Sequence, residues 1–93
     1  MISNATDEAL VILAEECGEV IQAVAKIHRW GPHEWYGTGP TNLDQLATEL
    51  GDLKAMIDIA ITELGIEPQQ VEDAQANKKI KLTKYSKFLQ HYG

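Results

Sequence analysis

The 93-residue chain is predicted to be all-α: a helical bundle of about three to four helices per chain, completed by oligomerisation. Two long segments carry apolar residues at alternating steps of three and four, a spacing typical of packed helices. Glycine and proline separate these segments, and no stretch shows the alternation of a half-buried strand. A chain this short buries a modest share of its surface, so we expect it to associate.

The first helix is predicted to run from about Thr6 to His28. Asn4 or Thr6 can accept hydrogen bonds from the first free backbone N–H groups, and Gly31-Pro32 disfavours continuation. The apolar residues expected to form its buried stripe are Leu10, Leu13, Cys17, Val20, Val24 and Ile27.

The second helix is predicted to begin at Asn42 or Leu43 and to end at Leu64. Thr41 or Asn42 is the expected cap, and Gly65 is a suitable C-terminal stop. Its apolar residues give the cleanest periodicity in the chain: Leu43, Leu46, Leu50, Leu53, Ile57, Ala60 and Leu64.

A third helix is expected to start at Pro68, a favoured first-turn residue, and to continue through the lysine-rich tail with a break near Thr83. Its expected apolar face contains Val71, Ala74, Tyr85, Phe88 and Tyr92, with Lys78 and Lys81 on the same face. We expect all of residues 1–93 to form one domain.

Charge is distributed unevenly along the chain. Residues 1–73 hold all 14 acids, whereas residues 74–93 hold five lysines and no acid. The acidic body argues against a nucleic-acid partner. The basic tail can meet phosphates, complement the acids of the body, or simply be solvated, which is the commonest role of such a run.

We expect a cytoplasmic location and no membrane association. No apolar run approaches the roughly 18 residues of a membrane span, and the N-terminus lacks the pattern of a signal peptide. The single Cys17 cannot form an internal disulfide, which suits a reducing compartment.

An acidic pattern occurs once in each of the first two helices. The two copies are Glu16-Cys17-Gly18-Glu19 and Glu49-Leu50-Gly51-Asp52. Acids three residues apart share a helix face, with Cβ atoms about 5–6 Å apart. A mid-helix glycine costs about 1 kcal/mol relative to alanine, so its repetition suggests a close approach of two backbones that gathers four carboxylates. Such a group of hard oxygen ligands suits Mg²⁺.

Three other interpretations explain these acids less well: solvated surface charge, a di-iron site and a zinc site. They could be solvated surface charge, but no lysine or arginine follows any of the four at i+4, and four uncompensated carboxylates would repel one another. A di-iron bundle uses Glu-x-x-His, and a zinc site needs a suitable cysteine or histidine set. The histidines, His28, His33 and His91, fit neither pattern.

The chain resembles the MazG-like all-α nucleoside triphosphate pyrophosphohydrolases. The resemblance rests on Glu-x-x-Glu in the first helix and Glu-x-x-Asp in the second, and it covers about two thirds of the chain. It implies cleavage between the α- and β-phosphates of a nucleotide, dependent on Mg²⁺ or Mn²⁺, to give a nucleoside monophosphate and pyrophosphate. The metal ligands that it implies are Glu16, Glu19, Glu49 and Asp52. Glu16 or Glu15 is the candidate base.

Substrate contacts are expected from two further regions. By resemblance, the phosphate-binding candidates in the third helix are Asn77, Lys78 and Lys81, although the lysine stems could instead cover the core. In the loop after the first helix, Trp30, and with it Trp35 and Tyr36, could stack on a nucleobase or plug the bundle end or an oligomer interface.

Two alternatives remain open beside this function. Phosphoribosyl-ATP pyrophosphohydrolase shares the architecture and the chemistry, and a non-enzymatic helical dimerisation module would keep the acids as surface charge. Under the favoured interpretation, the partners are a nucleotide substrate and further copies of the chain, as a homodimer or homotetramer.

Overall fold

The computed structural model describes residues 1–33 and 39–93. It contains three α-helices: Ala5–Trp30 (α1), Asn42–Leu64 (α2) and Pro68–Tyr85 (α3). A 3-10 turn, Gln90–Tyr92, follows them. These described residues contain no strand, which confirms the all-α prediction. None of the helices described is both long and apolar enough to cross a membrane.

The ends of α1 agree with its sequence signals to within two residues. The Asn4 side chain accepts a hydrogen bond from the backbone N–H of Asp7 at 2.8 Å, so Asn4 is the cap. At the other end the N–H of Gly31 donates to the carbonyl of Ile27, and Gly31 has a φ of 93°, a conformation that favours glycine.

The ends of α2 are also as predicted. Thr41 and Asp44 form a capping box, in which the Asp44 N–H donates to Thr41 Oγ1 at 3.1 Å and the Thr41 N–H donates to the Asp44 carboxylate at 3.3 Å. Gly65 ends the helix in the left-handed conformation at φ 66°.

Helices α1 and α2 pack against each other as an antiparallel hairpin. At its open end Thr6 Oγ1 donates to the carbonyl of Glu63 at 3.3 Å. At its closed end Asn42 Nδ2 donates to the carbonyl of Gly31 at 2.9 Å. These bonds fix which residues of α1 lie opposite which residues of α2.

The contact line of α1, meaning the residues of this helix that face α2, includes only three of the six residues of the predicted stripe. Its buried residues are Ala9 and Ala23, which are 3% and 5% exposed. The predicted residues Leu13, Val20 and Ile27 are half-buried on this line. The prediction is wrong for the other three, because they are exposed: Leu10, Cys17 and Val24.

The buried face of α2 also includes only part of its predicted apolar stripe. Ala60 is buried, and Leu46 and Leu53 are half-buried, as expected. The remaining predicted residues are exposed: Leu43, Leu50, Ile57 and Leu64. Each helix carries apolar residues on two adjacent stripes, and a two-helix hairpin can bury only one of them. Periodicity alone does not identify which one that is.

Helix α3 packs on the 3-10 turn and makes little contact with α1 and α2. It contains no buried residue. Val71 is half-buried on its predicted apolar face, whereas Tyr85, Phe88 and Tyr92 are exposed. The helix ends at Tyr85, close to the break predicted near Thr83.

Candidate metal centre

Three of the predicted acids converge between α1 and α2. Glu16, Glu49 and Asp52 each contribute a carboxylate oxygen, and these oxygens all lie within 4.8 Å of one another. Glu16 and Glu49 are half-buried and Asp52 is exposed. The cluster therefore lies at the contact between α1 and α2 and is open to solvent on one side.

The helical repeat places these acids. Glu16 lies seven residues after Ala9 and seven before Ala23, so it belongs to the same line of contact with α2. Glu49 lies seven residues after the buried Asn42 and is in the corresponding position of α2. Asp52 follows Glu49 by three residues, which puts it beside Glu49 toward one flank of the hairpin.

One oxygen of this cluster has no hydrogen-bond partner in the part of the chain that the structure describes. Glu16 Oε2 is buried and, among the described residues, receives no hydrogen bond. An unpaired buried carboxylate oxygen is costly. The cost is removed when a cation or a proton occupies the position that this oxygen faces.

Its surroundings raise the pKa of the Glu16 carboxyl above its usual value. The largest cause is the loss of surrounding water, and the second is repulsion by neighbouring negative charges. Those charges are, in order of their effect, Asp52, Glu49, Glu19 and Glu15. The site therefore disfavours an uncompensated negative charge on Glu16. A cation placed beside this carboxylate would compensate that charge.

Glu19 is exposed and lies outside the group of three, although its charge still acts on Glu16. The predicted reason for the two glycines is wrong within this chain. A Cβ atom added at Gly18 or Gly51 would meet no atom of the described residues within 4 Å. Both follow a contact-line glutamate by two residues, which turns them to the outside of the hairpin. Small alanines, not glycines, line the contact between α1 and α2.

Glu15 is exposed and adjoins the cluster without belonging to the group of three. Its charge is the weakest of the four that act on Glu16. Its carboxylate therefore remains solvated and free for contacts with a substrate or a water molecule.

The predicted substrate contacts that lie within the described residues are not gathered around these acids in one chain. Asn77, Lys78 and Lys81 are exposed on α3, and no lysine is among the groups that shift the pKa of Glu16. Trp30 is 63% exposed and stands 14 residues after Glu16, about 21 Å further along the helix axis at 1.5 Å per residue. Trp35 and Tyr36 fall outside the described residues.

The donor set fits a divalent cation with a preference for oxygen. Carboxylates alone form the group, and hard oxygen donors suit Mg²⁺, Ca²⁺ or Mn²⁺ better than Zn²⁺. The unpaired oxygen of Glu16 supplies a ligand atom already turned into the cluster. Sequence reasoning found these acids but placed them at the border of the contact, whereas Glu16 and Glu49 lie on it. The alanines at positions 9 and 23 are the sequence signal for the true register.

A family model of the MazG nucleotide pyrophosphohydrolase domain matches residues 5–85. The chain belongs to this family. The match includes α1, α2 and α3 in full, and so extends beyond the two helices on which the sequence resemblance rests. No curated protein and no solved structure matched the chain. Membership supports a hydrolase that acts on nucleotides, and the acidic cluster agrees with the family's dependence on divalent metal.

Proposed function

We propose that this MazG domain is a Mg²⁺-dependent nucleoside triphosphate pyrophosphohydrolase that cleaves between the α- and β-phosphates and releases a nucleoside monophosphate and pyrophosphate. The observation that carries the proposal is the convergence of Glu16, Glu49 and Asp52, together with a buried oxygen of Glu16 that has no partner among the residues described. Family membership supports the reaction class.

Electrostatics explains why these acids and a nucleotide need a cation between them. A triphosphate carries several negative charges, and three clustered carboxylates repel it. Because the cluster already disfavours its own charge at Glu16, it cannot bind phosphate directly. A divalent ion held by these carboxylates would reverse the sign of the local field.

In this proposal Glu16, Glu49 and Asp52 hold the ion, and Glu19 joins them from the adjacent turn of α1. A bound Mg²⁺ supplies charge neutralisation at the phosphates and polarisation of a water molecule. Mn²⁺, with the same ligand preference, can replace it. The alanine-lined contact on either side holds Glu16 and Glu49 in place, so little reordering accompanies binding.

Either Glu15 or Glu16 can serve as the general base, and the geometry favours Glu15. Glu16 is committed to the cluster, whereas Glu15 is exposed beside it with its oxygens free. A base must reach the proton it removes while keeping a lone pair available. Under this assignment Glu15→Gln lowers kcat while the affinity for Mg²⁺ is retained.

The remaining parts of the substrate need contacts beyond the acids. Lys78, Lys81 and Asn77 on the exposed surface of α3 are proposed to bind phosphate oxygens. Trp30 is proposed to stack on the base. Because the acids lie on α1 and α2, this arrangement requires α3, from the same or another chain, to face the cluster in the complex.

The test is pyrophosphate release from a panel of nucleoside triphosphates, with Mg²⁺ or with EDTA. We expect magnesium-dependent release that Glu49→Gln abolishes. The matched control is Asp58→Asn, which removes an exposed acid of α2 outside the cluster and should retain activity. Release from phosphoribosyl-ATP alone would assign the alternative substrate. The proposal would be contradicted if the protein is folded, cleaves no nucleotide of the panel, and has a melting temperature that Mg²⁺ does not change. That result would favour the non-enzymatic module.

A further inference from the structure

Lys26 lies on the same side of α1 as the acids of the candidate site. It follows Glu19 by seven residues, or two helical turns, and is therefore in line with it, about 10 Å further along the axis at 1.5 Å per residue. Long side chains on a helix lean back toward its N-terminus, which directs the Lys26 side chain toward the cluster. Because Lys26 is exposed, a ligand bound at the cluster can approach its ammonium group.

Neither pairing within α1 nor the helix dipole accounts for this lysine. Its neighbours one turn away on α1 include no acid: they are Gln22, Ala23, Arg29 and Trp30. The basic residues of the last turn are His28 and Arg29, and the effect of the dipole falls off within that turn. Lys26 lies before it, so its charge remains available to a ligand.

The side of the hairpin on which the cluster opens, which we call the acidic face, carries Glu19 on α1 and Asp52 on α2. Toward the open end of the hairpin two more acids fall on this face. Glu8 precedes Glu19 by eleven residues and Glu63 follows Asp52 by eleven, which is close to three helical turns in each case. Toward the closed end the row on α1 continues with Lys26 instead. The charges of the described residues therefore draw an anion from the cluster toward the closed end.

The other charged groups nearby are turned away from this line. Lys54 follows Asp52 by two residues, which puts it on the opposite side of α2. Arg29 follows Lys26 by three residues and is turned further toward the outside of the hairpin. At the closed end, the Asp44 carboxylate accepts the backbone N–H of the helix cap at 3.3 Å. Lys26 is therefore the cation of α1 and α2 that lies in line with the acids.

We propose, on the basis of the function proposed above, that Lys26 binds the γ-phosphate and that the triphosphate lies along the acidic face from the cluster toward the closed end. The γ end of a triphosphate carries the most charge, so it is the end drawn to an ammonium group and kept from Glu8 and Glu63. The bond between the α- and β-phosphates then lies at the cluster, and the uncharged nucleoside extends toward the open end. Trp30 of the same chain lies beyond Lys26, so stacking of Trp30 on the base requires another copy.

The experiment compares the two products of the reaction as ligands of Lys26→Gln in the presence of Mg²⁺. Pyrophosphate contains the β- and γ-phosphates, whereas the nucleoside monophosphate contains neither. By isothermal titration we expect the dissociation constant of pyrophosphate to rise about tenfold or more, as for a lost hydrogen bond between charged groups. The affinity for the monophosphate should be unchanged, and KM for the triphosphate should rise with the pyrophosphate constant. Lys26→Arg, which keeps the charge, should restore most of the pyrophosphate affinity.

Lys54→Gln is the matched control, because it removes the same charge from the opposite side of α2 and should bind both products as the wild type does. Circular dichroism verifies that each variant is folded. Unchanged pyrophosphate binding in Lys26→Gln would overturn the proposal. So would an equal loss of affinity for both products, because the change would then not be confined to the γ end.

The titration decides the role of Lys26 separately from the reaction. If the wild type cleaves no triphosphate, the proposed function fails, and selective loss of pyrophosphate binding in Lys26→Gln would still place the anion at Lys26. If the wild type cleaves a triphosphate while Lys26→Gln keeps its KM and its pyrophosphate affinity, the function stands and the role of Lys26 is rejected.

Discussion

Glu16 is the residue in which the structural and chemical roles of this chain conflict. It occupies a position of the α1–α2 contact where the neighbouring repeats have alanine. One buried oxygen of its carboxylate has no partner within residues 1–33 and 39–93. Without a cation this arrangement destabilises the fold. A binding site that opposes folding until its ligand arrives links metal binding to stability.

Glu16→Gln should change how the stability of the metal-free protein depends on pH. The folded chain raises the pKa of this carboxyl from its ordinary 4.5, so the folded state prefers the protonated form. The free energy of unfolding should therefore rise as the pH falls from neutral through the raised pKa toward 4.5. Glu16→Gln should flatten this dependence and raise the melting temperature near pH 7 in EDTA.

The same variant should respond less to magnesium. A ligand that binds only the folded state stabilises it by about 2.7 kcal/mol at a hundred times its dissociation constant, and loss of one ligand atom should shrink that gain. Thermal melts at several pH values, with EDTA and with Mg²⁺, provide the measurement. A parallel pH profile in the wild type and the variant would show that Glu16 is not the group responsible.

At the scale of the helix, nearby residues determine where α1 and α2 begin and end. The face that each helix buries is determined by the other helix instead. Asn4, Thr41 and Gly65 act through hydrogen bonds and backbone angles within a few residues, so the sequence alone limits each cap to one or two candidate residues. Which apolar stripe is buried depends on the partner helix. Small alanines at positions 9 and 23 allow the partner helix to approach α1 closely. The periodicity of the leucines does not show which face this is.

The candidate site shows the same division. The acid motif predicted Glu16, Glu49 and Asp52, because spacing along one helix and chemistry were sufficient. Neither the half-buried position of Glu16 nor the open space around Gly18 and Gly51 could be predicted, since both depend on how α1 and α2 are turned against each other.

Thr41→Ala should destabilise the protein by about 1 kcal/mol, because it removes one half of the capping box at the start of α2. Urea denaturation measures the loss. Thr48→Ala is the control, since Thr48 is an exposed mid-helix residue whose hydroxyl bonds back to the carbonyl of Asp44 and alanine is the better helix former. An equal loss in both variants would mean that the cap contributes nothing specific.

Gly51→Ala should stabilise the metal-free chain by up to about 1 kcal/mol, the cost of a mid-helix glycine. The position is helical, and an added Cβ meets no atom of the described residues within 4 Å. Urea denaturation in EDTA measures the gain, with Thr48→Ala again as the reference for an exposed position of the same helix. A loss of stability would show that another chain approaches Gly51 closely.

For the molecule as a whole, the small size of the hydrophobic core limits the stability of a single chain. Among the described residues the buried apolar side chains are Ala9, Ala23 and Ala60, and three alanines cannot offset the conformational entropy of ordering such a chain. The larger apolar side chains lie on an exposed flank of the hairpin, among them Leu10, Leu43 and Leu50. The sequence predicts that the chain associates with further copies. Under that prediction these side chains are covered between chains, and folding is coupled to association.

Stability should therefore depend on protein concentration. For two folded chains that dissociate as they unfold, raising the concentration a hundredfold adds about 2.7 kcal/mol to the free energy of unfolding per dimer, which is RT ln 100. Urea curves recorded at about 1 µM and about 100 µM, a range suited to a dimer of ordinary affinity, should be displaced from each other for the wild type. The same displacement is expected for Ala55→Glu, which places a charge at an exposed position of α2 outside that flank. Leu50→Glu, which places a charge among the exposed leucines, should lose both the displacement and most of the stability. Superimposable wild-type curves would mean that one chain folds alone, and that its exposed leucines do not hold two copies together.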